Sequence, residues 1–534
     1  MTMKYPIGIQ SFETIRRDGY VYVDKTDLVY KLAQGHVCFL ARPRRFGKSL
    51  LVSTLKAYFE GRRDLFEGLK MTDLEHEWTK YPVVTFDFNG LQNKPNKLTD
   101  YLLYEISLIE QGYGIQPVVN FTTGMPSSDA AARFRNLIIE LHKKSGQKVV
   151  VLIDEYDKPL LDLLEREEQE SEELLVANRE LLKAFFSIFK ATDDHLRFVM
   201  LTGITKFSQV SMFSGFNQPD DISLSKHYDT LLGITEEELH TVFAESIKEL
   251  AAEMECTPDE VKALLKEHYD GYHFSKRMID VYNPFSIINT FSKLDMRDYW
   301  FSSGTPSYLV RLLGNTPEDV MHYTSQNYPE QMFIDYKADR EMPLPMIFQA
   351  GYLTVKGYDR EFNTYRLDFP NNEVKQGLIT LLANNYLQQE NVMTSTLVNV
   401  VRALRDADLD QVRRELTSFL AGTPYSMRPK KTQEQRELYF HYTFYLIMRL
   451  ISCYTVYTEK QLSEGRADCI IETKDYIYIF EFKLDGTARE ALQQISERGY
   501  AKTYEADTRP TFLVGASFSS KTGTIEEWQT EKKQ

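Results

Sequence analysis

Residues 36–61 read HVCFLARPRRFGKSLLVSTLKAYFEG. This stretch restricts the fold more than any other. A buried-strand run is followed by a basic loop, then by Leu51, Leu55, Tyr58 and Phe59 at helical spacing, with Gly61 as a stop. A strand, a loop and a helix N-terminus aim free backbone N–H groups and the positive end of the helix at one point, which suits an anionic phosphate. The loop ends Gly47-Lys48-Ser49, the tail of the Walker A pattern G-x-x-x-x-G-K-[ST]. The first glycine of that pattern is replaced by Arg42. A GK[ST] triplet arises by chance in roughly a quarter of chains this long, so the surroundings must decide.

The surroundings favour a site. Residues 1–235 alternate β-rich runs (VCFLA, PVVTFDF, KVVVLID, LRFVMLTG) with helical patterns, and such βαβ alternation implies a mainly parallel sheet covered by helices. KVVVLIDEYDKPL places Asp154 and Glu155 at the C-terminal tip of an aliphatic strand, where an open α/β sheet has its ligand crevice. Lys48 would reach the β- and γ-phosphates of ATP, and Ser49 and Asp154 would hold Mg²⁺. Glu155 would orient or deprotonate the attacking water. LRFVMLTGITKFS ends in Thr202, Gly203, Thr205 and Lys206, any of which could sense the γ-phosphate. Pro43 stiffens the loop. Arg42, Arg44 and Arg45 add donors that would meet phosphate directly, or else form a solvated basic loop or pair with the many local acids.

Length and charge set the wider frame. A chain of 534 residues is too long for one core and suggests about three domains. The net charge of −14 provides no global attraction to nucleic acid, so any such contact uses local basic patches, is salt-sensitive and draws on a partner or homo-oligomer. Cys38, Cys256, Cys453 and Cys469 form no zinc pattern and read as buried thiols of a reducing compartment. The N-terminus has no apolar signal core, and no run reaches the ~18 apolar residues of a membrane span. The expected location is cytoplasmic, with no membrane partner.

Beyond residue 235 the rhythm changes. TEEELHTVFAESIKELAAEM and TPDEVKALLKEHY read as amphipathic helices opened by Thr caps. Residues 349–374 read as a hairpin beside helices, in the manner of a winged-helix element, and residues 421–435 read as a linker. After the linker the pattern is helix, strand, strand, helix. In SEGRADCIIETKDYIYIFEFKLDG, Asp468 opens one strand, while Glu481 and Lys483 share a face of the next, opposite Phe480 and Phe482. Two carboxylates and a lysine suit metal-assisted phosphodiester hydrolysis, with Asp468 and Glu481 on Mg²⁺ and Lys483 at the attacking water. An exposed E-x-K ion pair would give the same letters.

The segments PIGIQSFETIRRDGYVYVDKTDLVYKL, RPRRFGKSL, IDEYDKPL, LTGITKFS, MFSGFNQPDDISL, YDGYHF and YNPFSI, together with GRAD…IFEFKLDGTAREALQQISERGYAKTY, resemble one bacterial family over nearly the whole chain. That family joins an AAA-ATPase-like domain to a C-terminal domain of the PD-(D/E)XK nuclease superfamily. In it the R-P-R-R form of the loop resembles the normal one. The resemblance implies an α/β fold: a P-loop NTPase-type parallel sheet domain at 1–235, a helical middle region at 236–425 with the winged-helix element, and a PD-(D/E)XK-type domain at 426–534. It makes Asp468, Glu481 and Lys483 the core of a nuclease site, with Gln494 as an auxiliary group and Glu437 as the acid of the preceding helix. His441, one turn on, could share the face of Glu437 or be an ordinary helix histidine. The function implied is ATP binding and hydrolysis coupled to a Mg²⁺-dependent nuclease on DNA or RNA. By analogy it serves defence or mobile-element control. The alternative is a nucleotide-binding regulatory scaffold whose nuclease-like domain binds without cutting.

Overall fold

The computed structural model describes residues 3–90, 97–120, 123–164, 170–206, 219–303, 323–324, 326–334, 343–387, 392–422, 455–462, 465–505 and 507–533. They fall into two compact units, Met1–Lys375 and Gln376–Gln534.

The first unit is built on five parallel strands, β1 (Val37–Ala41), β2 (Val83–Asp87), β3 (Val149–Asp154), β4 (Leu196–Gly203) and the short β5 (Asp220–Asp221), in the order β2-β3-β4-β1-β5. The four runs read from sequence are β1 to β4. β3 is buried at every position, as expected of a strand covered on both faces. β4 lies between the acid-bearing β3, which precedes it in sequence, and the loop-bearing β1, which does not. The helix Lys48–Phe59 follows the loop and buries Leu51, Leu55, Tyr58 and Phe59 against this sheet, and Gly61 (φ 69°) ends it.

The middle region forms its own core. Thr235 and Thr257 each close a capping box with the glutamate three residues on, Glu238 and Glu260. The first amphipathic stretch is two helices, Glu236–Val242 and Ala244–Glu253, which part at Phe243, outside the helical region at φ −107° and ψ 21°. A two-stranded ribbon, β6 (Ile234–Thr235) with β7 (Val281–Tyr282), joins this core. The expected hairpin is present as β9 (Thr354–Asp359) and β10 (Thr364–Asp368), with β8 (Asn327–Pro329) on the far side of β10. Helices Gln331–Ile334 and Leu344–Gln349 lie between β8 and β9. Leu344, Pro345, Met346, Ile347 and Gln349 are all buried, so the second of these helices packs inward.

The second unit carries a mixed sheet, β11 (Thr455–Leu462), β12 (Gly465–Glu472), β13 (Ile477–Leu484), β14 (Thr511–Phe518) and β15 (Ile525–Lys533), in sequential order. Only the β13–β14 pair is parallel, and the helix Ala488–Glu497 makes that crossover. The helix–strand–strand–helix pattern read from sequence therefore omitted β11, β14 and β15. Ile470, Ile477, Ile479, Leu492, Ile495 and Leu513 pack between the sheet and the crossover helix. Tyr478, Phe480, Phe482, Phe512, Phe518 and Trp528 form a chain of ring contacts on this sheet, and the Tyr478 hydroxyl donates to the Leu404 carbonyl (2.6 Å) of the helix Val392–Arg405.

Candidate functional site

The first constellation lies at the C-terminal ends of β1, β3 and β4. The loop after β1 turns through two left-handed residues, Arg45 (φ 65°) and Gly47 (φ 91°), and delivers Lys48 to the first turn of its helix. The buried Lys48 ammonium donates to the carbonyls of Arg42 and Pro43, both at 3.0 Å. Burial lowers its pKa, and Glu155, Asp154 and Asp157 oppose that shift, so these three carboxylates are its electrostatic neighbours. Ser49 follows, half-buried. Asp154 is buried at the tip of β3 and accepts from the Thr202 hydroxyl at 2.5 Å. Glu155 sits at φ 52°, and burial raises its pKa against the pull of Lys48. A carboxyl held in that state is suited to taking up a proton.

The tip of β4 is now resolved residue by residue. Thr202 is bound to Asp154. Thr205 donates its N–H (2.6 Å) and hydroxyl (2.7 Å) to Asp157, which the sequence reading did not single out. Lys206 pairs with Asp221 at 2.5 Å. Gly203 is required by packing, since an added Cβ would lie 2.7 Å from the Tyr156 ring. Asp87 at the end of β2 stands level with Asp154 across the β2–β3 pair, and its position at a strand tip was the signal by which it could have been found.

The arginines divide. Arg42 does not reach toward phosphate: its guanidinium is buried, donates to the carbonyls of Ala41 (3.0 Å) and Ser223 (2.6 Å), and lies 4.0 Å from the centre of the Phe274 ring. Arg42 also lies outside the left-handed region, so its position does not need the glycine of the general pattern. Its burial corrects the expectation of a phosphate contact there. Arg44 is half-buried and Arg45 exposed, with Arg45 5.0 Å from the Phe285 ring centre.

The second constellation is on β12, β13 and the crossover helix. Asp468 Oδ2 accepts from the Phe482 backbone N–H at 2.8 Å. Glu481, 1% exposed, points to the face opposite Phe480 and Phe482. Gln494, in the second turn of the helix Ala488–Glu497, bridges the pair: its amide N–H donates to Glu481 Oε1, and its carbonyl accepts from the Lys483 ammonium at 2.5 Å. Lys483 lies 3.9 Å from the same Glu481 oxygen. Glu481 Oε2 is buried with no hydrogen-bond partner. Burial raises the Glu481 pKa, and the nearby Asp468 raises it further. An orphaned carboxylate oxygen beside a second acid fits a hard divalent cation such as Mg²⁺. Among the described residues no set of three His, Cys, Asp or Glu side chains converges to hold a metal by itself. Glu437 and His441 lie outside the described residues.

Comparison with known proteins gives the same two parts. Residues 6–213 match a family model described as "Predicted AAA-ATPase", and residues 435–528 match the PD-(D/E)XK nuclease superfamily. A protein of Azotobacter chroococcum mcd 1, described as "Uncharacterized protein in vnfD 5'region", is 35% identical over 534 residues, 98% of each chain. The chain belongs to the family that pairs an AAA-ATPase-like domain with a PD-(D/E)XK nuclease superfamily domain. ATPase and nuclease-like activities are what these two domain types support, and domains of these types usually use nucleotide and divalent metal. Within the AAA-ATPase-like domain the structure brings Lys48, Asp154 and Glu155 together. In the PD-(D/E)XK domain it brings Asp468, Glu481, Lys483 and Gln494 together. No helix among the described residues is long and apolar enough to cross a membrane.

Proposed function

We propose that the protein binds and hydrolyses ATP and couples that cycle to a Mg²⁺-dependent nuclease acting on DNA or RNA. The observation that carries this reading is the quartet in the second unit, where Gln494 holds Lys483 against Glu481 and leaves Glu481 Oε2 open beside Asp468. Asp468 and Glu481 would hold Mg²⁺, which when bound neutralises phosphate charge and acidifies a water. Lys483 positions that water or stabilises charge developing on the phosphate, and Gln494 fixes both side chains. Glu437 is the further acid proposed for this site.

In the first unit, Lys48 releases its two loop carbonyls to take the β- and γ-phosphates. Gly47 and the first helical turn would supply backbone N–H groups, Ser49 and Asp154 would hold Mg²⁺, and Glu155 would orient or deprotonate the attacking water. Arg44 and Arg45, which the loop leaves towards solvent, add phosphate contacts. Thr202, bound to Asp154, is the γ-phosphate sensor at the tip of β4. The working division is 1–235 for nucleotide, 236–425 for transmission and 426–534 for cleavage, within the cytoplasm, and we place the protein in defence or mobile-element control.

Incubating the chain with linear DNA, plasmid and RNA, in Mg²⁺ or Mn²⁺, with and without ATP, tests this. Cleavage that depends on ATP and is lost in Lys483→Ala is the expected result. ATP hydrolysis with no cleavage of any substrate would favour a regulatory scaffold, and cleavage unchanged in Lys483→Ala would remove the site assignment.

A further inference from the structure

The phosphate loop is gripped from behind, along its whole length, by the middle region. Arg42 lies on the Phe274 ring. Phe46 is wedged between Tyr272 and Phe274, with ring centres at 4.8 and 5.4 Å. Arg45 lies over Phe285. Pro43 presses on Gly351, where an added Cβ would come within 2.6 Å of the proline ring. One polar contact joins these: the Trp300 indole N–H donates to the Arg44 carbonyl at 3.0 Å. The backbone N–H of the same tryptophan donates to Glu373 Oε1 at 2.6 Å, and Ser286 donates to Glu373 Oε2 at 2.8 Å. Glu373 is the second residue of the helix Asn372–Leu387, which begins in the first compact unit and whose residues from Gln376 belong to the second.

We propose that Trp300 and Glu373 form a relay carrying the occupancy of the phosphate loop to the helix Asn372–Leu387. The proposal rests on the nucleotide reading above and names its route. The loop has two arrangements available. In one, the Lys48 ammonium is held by the Arg42 and Pro43 carbonyls. In the other, a phosphate takes that ammonium, and both carbonyls lose their donor and turn. Arg44 is the next residue of the same loop, so its carbonyl moves with them and draws on the indole. Packed contacts of this kind shift between discrete arrangements and do not deform smoothly. Tyr352 flanks the Trp300 ring at 5.3 Å, so a displaced indole transfers its movement to its own backbone and hence to Glu373.

The test uses the full chain with ATP and Mg²⁺. Hydrogen exchange over residues 372–387 is read by mass spectrometry, and equilibrium dialysis of the same samples reads binding. In the wild type, saturating ATP changes exchange in this helix at least threefold. Trp300→Phe keeps a ring and loses the indole donor, so it binds ATP within threefold of the wild-type Kd while the helix no longer responds. Glu373→Gln keeps an acceptor for the Trp300 N–H and retains most of the response; Glu373→Ala loses it. The Glu373 pair decides the matter should Trp300→Phe fold poorly. A wild-type helix that is indifferent to bound ATP overturns the relay, as does an undiminished response in Trp300→Phe and Glu373→Ala. Absence of ATP binding in dialysis overturns the nucleotide reading itself, through a separate measurement.

Discussion

Replacing Arg42 by glycine would restore the general form of the loop and should damage the protein. The guanidinium makes two good bonds to carbonyls, at 2.6 and 3.0 Å, each contributing about 1.5–3 kcal/mol for a charged donor. Its contact with Phe274, at 4.0 Å in a desolvated setting, adds about 2 kcal/mol. Opposing these, burial pulls the guanidinium pKa down to about 9 in spite of Asp221 and Asp229, and at about 1.4 kcal/mol per unit that is roughly 5 kcal/mol. The charge therefore comes close to neutral in net effect. What glycine removes is packing: the stem under Phe274 and the donor to Ser223. Large-to-small changes at such sites cost about 3–5 kcal/mol, so Arg42→Gly should lose about 3 kcal/mol, or roughly 5 °C in the melting of a unit of this size. Thermal melting by circular dichroism and ATP affinity by equilibrium dialysis are read together. Arg42→Met, which keeps the stem without the charge, should recover about half of the lost stability and bind ATP like the wild type. If Arg42→Gly melts with the wild type and yet loses tenfold in ATP affinity, the arginine grips phosphate and the packing account is wrong.

Lys48→Ala should weaken ATP binding by at least about tenfold, since one ammonium serves two phosphates. Arg44→Ala and Arg45→Ala should each weaken it by about fivefold, and no change in either would leave phosphate recognition to Lys48 and the backbone. Lys483→Ala should lower cleavage by about 100-fold or more with melting unchanged. The exposed Lys521→Ala, measured beside it, should cut normally. Gln494→Ala should also impair cleavage by releasing Lys483 and Glu481 from each other, and full activity would make the bridge incidental. Asp270 is buried, and burial raises its pKa from 3.8 to about 7 against the pull of the Gly271 backbone N–H, with Asp280 raising and Lys266 lowering it. The folded state therefore holds a proton that the unfolded chain gives up near pH 4. Stability from this group is full below that pH and falls as pH rises to about 7, by at most about 1.4 kcal/mol per unit. Urea titrations between pH 4 and 7 should show this slope flattened in Asp270→Asn, and identical slopes would place Asp270 in contact with water.

The parts legible in sequence were those whose chemistry is local. β1 to β4 announce themselves because a parallel strand covered on both faces must be apolar throughout, and the acids at the tip of β3 and the E-x-K of β13 follow from strand alternation alone. β5 is two aspartates long and has no such signature. β15, IEEWQTEKK, is an edge strand whose charges discourage pairing with other chains, and those charges mask it as a strand. The helix–strand–strand–helix pattern leaves out β14, although TFLVGASF carries the apolar run of a covered strand. The fate of Arg42 could not be read, because Ser223, Tyr228 and Phe274 are brought to it by the fold from about 180 to 230 residues away. Among the four polar residues at the tip of β4, the choice of Thr202 likewise depends on register between β3 and β4, which includes a bulge after Val149.

The position of β4 between β1 and β3 acts as a spacer of fixed width. Neighbouring strands stand about 4.8 Å apart, so the backbones of β1 and β3 are separated by roughly 10 Å, with Thr202 on the strand between them, while the Lys48 ammonium on the loop side is close enough to feel Asp154 and Glu155. On the nucleotide reading proposed above, a phosphate chain anchored at the loop would extend across that gap before its end met the Thr202 hydroxyl and the Asp154 carboxylate, and the crevice would measure chain length. A ligand one phosphate shorter would fill the loop and leave the Thr202–Asp154 hydrogen bond untouched.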